Sequence, residues 1–137
     1  MSDAVLGSAK LDHVGIAADS PELPLAALLG VPVPELKTMP SGVGVGRFGP
    51  DRTLELVVPT GTGTPIDRFL EKRGSGLHHI ALAVDQPLTE LLPRLLEAGI
   101  EVAGEIEPSS DGRPSLFLHP SSTGGVLVEL VEGDRRT

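Results

Sequence analysis

The chain contains no cysteine, tryptophan or tyrosine, and its only aromatic residues are three phenylalanines. Without cysteine there can be no disulfide, no thiolate metal site and no cysteine nucleophile, so a bound metal would need His, Asp, Glu or backbone oxygen ligands. Three rings are too few for the base-stacking platform of a single-strand nucleic-acid binder. The formal net charge of −8 also argues against nucleic acid, whose phosphates attract basic surfaces.

The sequence also has no apolar run close to the roughly 20 residues that a membrane-spanning helix requires, so we expect no membrane segment. Its first ten residues show no basic start followed by an apolar stretch, which argues against a secretory signal. These features, with the absence of cysteine, favour a cytoplasmic protein. The 137 residues fit a single domain (1–137) with its own core, and a small molecule is the expected partner.

An internal repeat organises the chain. Residues 11–19 resemble residues 77–85, with four of the nine positions identical, and residues 54–57 resemble residues 128–131. In both halves a segment with His precedes a segment with Glu. The sequence is therefore predicted to contain a duplicated module of about 60 residues. Module one spans about 10–60, module two about 76–132, and a linker helix lies at about 65–73.

The predicted class is α+β, with two tandem modules that each run strand, helix, strand, strand, strand. Short apolar runs with polar or glycine borders indicate the strands, and proline or serine starts with glycine stops indicate the helices. The predicted strands are 11–18, 42–48, 53–58, 77–84, 100–103, 115–119 and 126–131. The predicted helices are 21–29, with Ser20 as N-cap and Pro21 at the first helical position, then 65–73 and 88–98.

Four chemically useful side chains stand at equivalent places in the two modules: His13, Glu55, His79 and Glu129. If the modules pack with pseudo-twofold symmetry, equivalent strands face each other and these side chains converge. Two neutral imidazoles and two carboxylates balance one divalent cation, and burying them without a cation would be costly. We therefore predict a metal site. The alternative is a pair of structural histidines with solvent-facing glutamates.

Three stretches resemble the methylmalonyl-CoA epimerase family of the vicinal oxygen chelate (glyoxalase/bleomycin resistance/dioxygenase) superfamily. They are residues 11–17, residues 69–81, and residues 117–120 together with 122–130. The resemblance implies a cupped mixed β-sheet and a homodimer. It also implies that the four residues hold a divalent metal ion, such as Co, Zn, Ni, Mn or Mg. Since the repeat aligns His79 with His13, the expected ligand is His79, and His78 would point the other way along a strand.

The resemblance further implies an isomerase that inverts the carbon between the thioester and the carboxylate of methylmalonyl-CoA, or of a similar 2-substituted acyl thioester, through a metal-stabilised enolate. Such a reaction ordinarily needs an acid/base on each face of the carbon. The resemblance assigns one of these roles to the metal ligand Glu129. In the family the other belongs to a glutamate just before a Gln-Gly-Val segment, and here Pro40 stands at that place.

Proline cannot transfer a proton, so three explanations stay open. Glu35 or a water on the metal could be the second base, the protein could run a one-base reaction on another substrate, or it could bind a ligand without turnover. A glyoxalase-like metal-dependent lyase or isomerase and a non-catalytic metal- or small-ligand-binding protein are accordingly the alternative functions. The superfamily accommodates each of them, because fold alone does not fix function.

The loop after the predicted strand 115–119 is a candidate substrate contact. His119, Ser122, Thr123 and Gly124 provide small polar groups and backbone N–H groups that could hold a carboxylate or phosphate. The alternatives are a histidine that caps the loop and a plain turn that leads into the last strand.

Overall fold

The computed structural model describes residues 4–134. Within them lie three α-helices: α1 (Pro24–Leu28), α2 (Pro65–Arg73) and α3 (Leu88–Glu97). The strands are β1 (Ala9–Ala17), β2 (Lys37–Thr38), β3 (Val43–Phe48), β4 (Leu54–Pro59), β5 (Gly76–Val84), β6 (Val102–Pro108), β7 (Pro114–Leu118) and β8 (Val128–Glu132). Short 3₁₀ turns follow β3 and β7 at Pro50–Arg52 and Pro120–Ser122.

In the described part of the chain the strands form one eight-stranded mixed sheet in the order β2-β3-β4-β1-β5-β8-β7-β6. The first strand of each module pairs in parallel with the last one, β1 with β4 and β5 with β8. The hairpins β3–β4 and β7–β8 are antiparallel. The α+β class and the tandem βαβββ modules are thereby confirmed. The second strand of the first module is the short β2, whose position the sequence patterns did not predict.

The chain divides into two compact units. One is His13–His78, and the other joins the segment up to Asp12 with the segment from His79 onward. In the first unit α1 packs against one face of its strands, around Leu56, and α2 packs against the other face, around Val57. In the second unit Leu88, Leu91 and Leu95 of α3 fill the core beside Leu130. The predicted module limits of about 10–60 and 76–132 stay a prediction.

The helix α2 begins and ends where the sequence predicts. Thr64 accepts a hydrogen bond from the backbone N–H of Asp67, and Asp67 accepts one from the N–H of Thr64, so the two residues form a capping box. Gly74, with φ of 72°, ends the helix. Both signals are local, which is why the sequence alone sufficed.

The predicted start of the first helix is wrong. The helix α1 begins at Pro24 with Leu23 as its N-cap, whereas Pro21 and Ser20 lie in a preceding turn in which the Ser20 hydroxyl accepts from the N–H of Glu22. Proline disfavours the helical region for the residue before it, and Leu23 is accordingly extended, with φ −85° and ψ 125°. The helix therefore begins at Pro24 and not at Pro21. The strand β6 also runs further than predicted, to Pro108.

The alternation of glycine and valine in β3 reflects two different surroundings. Val43 and Val45 pack towards α2. On the opposite side, a Cβ added at Gly46 would lie 2.7 Å from the carbonyl oxygen of Glu35. No real Cβ approaches a backbone atom so closely, so the incoming segment before β2 can lie against β3 only because residue 46 has no side chain.

We therefore expect Gly46→Ala to destabilise the protein by about 1–3 kcal/mol through overpacking against backbone. Gly61→Ala is the matched control, because an added Cβ at Gly61 meets nothing within 4 Å. Urea unfolding followed by circular dichroism measures both variants. Equal stability of the two would contradict the close-approach explanation.

A buried arginine ties three segments of the second unit together. Arg113 Nη1 and Nη2 donate to the two carboxylate oxygens of Asp12 at 2.9 and 3.0 Å, Nε donates to Asp111 at 2.8 Å, and Nη1 also donates to the carbonyl of Gly133 at 2.8 Å. Burial alone would lower the pKa of Arg113, but Asp12 and Asp111 outweigh it and raise the pKa above its ordinary value. The guanidinium therefore stays charged and holds the strand that leads directly into His13.

Arg113→Leu is expected to cost about 3–5 kcal/mol of unfolding free energy, because it leaves the buried carboxylate of Asp12 without its bidentate partner. Urea denaturation at neutral pH measures this loss. The exposed Arg68, replaced by Leu, should change the unfolding free energy by less than about 0.5 kcal/mol. A loss at Arg113 no greater than that at Arg68 would refute the structural role.

Candidate metal centre

The first module brings His13 and Glu55 together through strand pairing. In the parallel pair β1–β4, Gly15 lies opposite Glu55, and alternation places His13 on the same face as Gly15. His13 Nε2 lies 3.4 Å from Glu55 Oε1. Both residues are buried, with 1% and 5% of their surface exposed. The alternative of a solvent-facing Glu55 is therefore excluded.

The second module repeats this arrangement. In the parallel pair β5–β8, Ala81 lies opposite Glu129, and His79 lies on the same face as Ala81. His79 Nε2 lies 3.4 Å from Glu129 Oε1, the distance found in the first module, and both side chains are buried. The two halves of the sequence repeat therefore form equivalent histidine–carboxylate pairs.

One possible ligand atom from each of the four residues lies within 4.8 Å of the corresponding atoms of the others. The predicted quartet is therefore brought together. The histidine–carboxylate distances of 3.4 Å exceed those of a good hydrogen bond. They match neighbouring ligands on one ion, because two atoms each about 2.1 Å from a metal lie about 3.0–3.5 Å apart. Two imidazoles and two carboxylates also suit a divalent transition ion, so the residues present fit a metal.

The neighbouring histidine is directed elsewhere. His78 lies edge-on to the ring of Phe69, with 5.0 Å between the ring centroids. His79, not His78, belongs to the group of four, as the alignment of the repeat predicted.

Two neighbours of the quartet were missed by the sequence reasoning. In the antiparallel ladders, Arg47 lies opposite Glu55 and Phe117 lies opposite Glu129. Arg47 Nε donates to Glu55 Oε2 at 3.1 Å, and the Phe117 ring lies edge-on to His79 at 5.7 Å. A lone arginine among the valines and glycines of β3 was the available signal. An arginine at this position indicates a negatively charged partner, but the sequence does not show which residue that partner is.

The loop proposed as a substrate contact is hydrogen-bonded internally. His119 is the N-cap of the 3₁₀ turn, and its Nδ1 accepts from the N–H of Ser121 at 3.1 Å. The Ser122 hydroxyl accepts from the N–H of Glu101 at 2.8 Å, and that of Thr123 donates to the carbonyl of Val126. The predicted capping role of His119 is present. The substrate contacts of His119, Ser122, Thr123 and Gly124 stay a prediction.

Pro40 lies at the tip of a hairpin. The N–H of Gly42 donates to the carbonyl of Met39 at 2.9 Å, which closes a turn around Pro40 and Ser41. Pro40 is exposed, and so are the nearest carboxylates along the chain, Glu35 and Asp51. Neither of these carboxylates belongs to the buried group of four.

Among residues 4–134, no helix is both long enough and apolar enough to span a bilayer.

Solved structures of methylmalonyl-CoA epimerases resemble this chain in fold. No family model matches the chain. The methylmalonyl-CoA epimerase of Mycobacterium tuberculosis superposes with a TM-score of 0.78 at 28% identity, covering 91% of this chain and 88% of that one. A variant of the Streptomyces coelicolor methylmalonyl-CoA epimerase, in complex with 2-nitronate-propionyl-CoA, superposes with a TM-score of 0.75 at 28% identity, covering 92% and 98%. The fold is that of a vicinal oxygen chelate protein.

Another epimerase is more similar to this chain in sequence. The chain is 42% identical to the ethylmalonyl-CoA/methylmalonyl-CoA epimerase of Cereibacter sphaeroides over 90% of its own length and 97% of that protein. It belongs to the methylmalonyl-CoA epimerase family. The resemblance to this family is confirmed.

Replacement of one ligand should abolish tight metal binding. We expect the purified protein to bind one Co(II) per chain, and His79→Ala to weaken binding by at least about 100-fold, the upper end of the cost of losing an outer-sphere partner. His78→Ala is the adjacent control and should bind like the unmodified protein. Absorption-monitored Co(II) titration measures all three. Equal weakening by both variants would contradict the assignment of His79.

Proposed function

We propose that this protein is a metal-dependent epimerase of methylmalonyl-CoA or of a similar 2-substituted acyl thioester. The observation that carries the proposal is the buried group of His13, Glu55, His79 and Glu129, with ligand atoms within 4.8 Å, in a member of this enzyme family. Surface residues or a structural core would not require two imidazoles and two carboxylates at one place. The homodimer and the cytoplasmic location are proposals that rest on the sequence alone.

These four residues would hold the divalent ion, for which Co, Zn, Ni, Mn and Mg are candidates. When bound, the ion would supply a positive charge for the negative charge that develops on the substrate's oxygens. The chain's own contribution is to fix the ligand positions on two parallel strand pairs, which strands do more rigidly than loops.

Glu129 is the proposed acid/base. The proton to be moved is on the carbon between the thioester and the carboxylate, and the thioester carbonyl can take up the negative charge that its removal leaves. The carboxylate of Glu129 has two oxygens, of which Oε1 lies beside His79, so one can be a ligand while the other takes and returns a proton. The buried position, 6% exposed, excludes bulk water and strengthens the electrostatic interactions that act on the substrate.

On the other face of the reacting carbon, the proton has to come from a group other than the glutamate that the family pattern has at the place of Pro40. Pro40 has no proton to give, and the carboxylates of Glu35 and Asp51 are exposed at positions outside the buried group. We infer that a water molecule or another side chain serves the second face. A one-base protein that exchanges the proton without inversion is the second candidate, which the proline at position 40 favours.

Proton-exchange NMR of methylmalonyl-CoA in heavy water distinguishes these functions. With Co(II)-loaded protein we expect deuterium to enter at the α-carbon together with inversion. Glu129→Gln should slow the exchange by about 10²–10⁴-fold, the usual contribution of a general acid/base.

A glutamine keeps one oxygen ligand, so Co(II) titration of the same variant separates a lost base from a lost metal. The His78→Ala protein is the control that should retain full exchange. Exchange without inversion would establish the one-base reaction. Absence of exchange in the metal-loaded parent protein would refute the epimerase and point to a glyoxalase-like reaction on another substrate or to ligand binding alone.

A further inference from the structure

The two oxygens of Glu55 have different neighbours. Oε1 lies 3.4 Å from His13 Nε2, whereas Oε2 accepts a hydrogen bond from Arg47 Nε at 3.1 Å. A guanidinium can only donate, and it stays charged at any physiological pH. Arg47 therefore occupies Oε2 and directs Oε1 towards His13, which fixes the rotation of the carboxylate.

Arg47 is itself held at a second point. Its Nη1 donates to the carbonyl of Arg52 at 3.2 Å. Arg52 and Asp51 have φ of 54° and 53°, which is uncommon for residues other than glycine and costs free energy. This turn between β3 and β4 thus aims a backbone carbonyl at the guanidinium. With contacts at Nε and Nη1, the planar group has little freedom to rotate, and only 10% of its side chain is exposed.

The other module differs at the same register position. Phe117 stands opposite Glu129 where Arg47 stands opposite Glu55. A phenyl ring carries no charge and donates no N–H. The repeat is therefore symmetric in its candidate ligands and asymmetric in the residue beside each carboxylate.

We propose that Arg47 is a positioning residue of the metal centre, which presents Glu55 to the ion through Oε1 and balances its negative charge. The inference rests on the proposed function and adds a positioning residue to its metal centre. Arg47 holds Glu55 as a fixed ligand, in addition to the strand pairing that places it beside His13.

The first test is Co(II) affinity without substrate. Arg47→Met removes the charge and the donors and keeps the length of the side chain. We expect a loss of about 10–100-fold in affinity, as for other partners of metal ligands. Arg68→Met is the matched control, because Arg68 is exposed on α2 in the same unit and should leave the affinity unchanged. Equal affinities of the two variants would overturn the proposal.

A double-mutant cycle then separates positioning from general stability. In a Glu55→Gln background the residue at 55 has no charge to balance, so Arg47→Met should reduce the Co(II) affinity by less than about threefold. If Arg47→Met costs the same in both backgrounds, its effect does not act through the Glu55 charge and the proposal fails. The visible absorption spectrum of bound Co(II) adds a second readout, which should change in Arg47→Met and stay unchanged in Arg68→Met.

Arg47→Lys keeps the charge and loses the planar fork, so we expect an affinity between those of the parent and Arg47→Met. If Arg47→Met does not fold by circular dichroism, the lysine variant and the double variant Arg47→Met/Glu55→Gln carry the test. If the Arg47→Lys variant binds Co(II) as tightly as the parent protein and shows an unchanged absorption spectrum, Arg47 does not orient Glu55 and the proposal is overturned. Because none of these titrations uses a substrate, a failed epimerase assay would leave their result standing.

Discussion

The burial of two histidines and two glutamates at one place is the constraint on which the rest of the structure depends. Each group taken singly would lose its hydration with little in return, and four together require a cation or an extensive set of partners. In the fold, each module forms one histidine–glutamate pair. A parallel strand pair in each module sets a histidine beside a glutamate, with 3.4 Å between their nearest atoms in both cases. Local pairing, helix packing and the buried Arg113 clamp all act to keep those strands in place.

Duplication explains the symmetry of the ligands, and later divergence explains the difference between their neighbours. His13 and Glu55 stand in the same registers as His79 and Glu129. Next to them, however, one module presents an arginine and the other a phenylalanine. The arginine donates to Glu55 and is anchored at a second point, so it fixes the rotation of that carboxylate and balances its charge.

Family membership and the chain's own residues do not give the same account of the reaction. The family resemblance predicts a proton donor or acceptor on each face of the reacting carbon, and it predicts that Pro40 stands where one of them is expected. That residue is at the exposed tip of a turn that the hydrogen bond between Gly42 and Met39 closes. Proline fixes its own φ near −65°, which suits the second position of such a turn. The turn thus accommodates the proline, while the chemistry on the second face has to come from elsewhere.

The sequence by itself determined the class, the repeat, the ends of α2 and the identity of the four candidate ligands, because each depends on local patterns or on comparison of one half with the other. It misplaced the start of α1, where the effect of Pro24 on Leu23 outweighed the signals at Ser20 and Pro21. It also left out β2, which is two residues long and carries no periodicity. Only the tertiary structure decided that Arg47 reaches Oε2 of Glu55, that Gly46 must lack a side chain and that Arg113 clamps Asp12. Strand register and the close approach of neighbouring segments bring these residues together. The number of residues between them along the chain does not reveal those contacts.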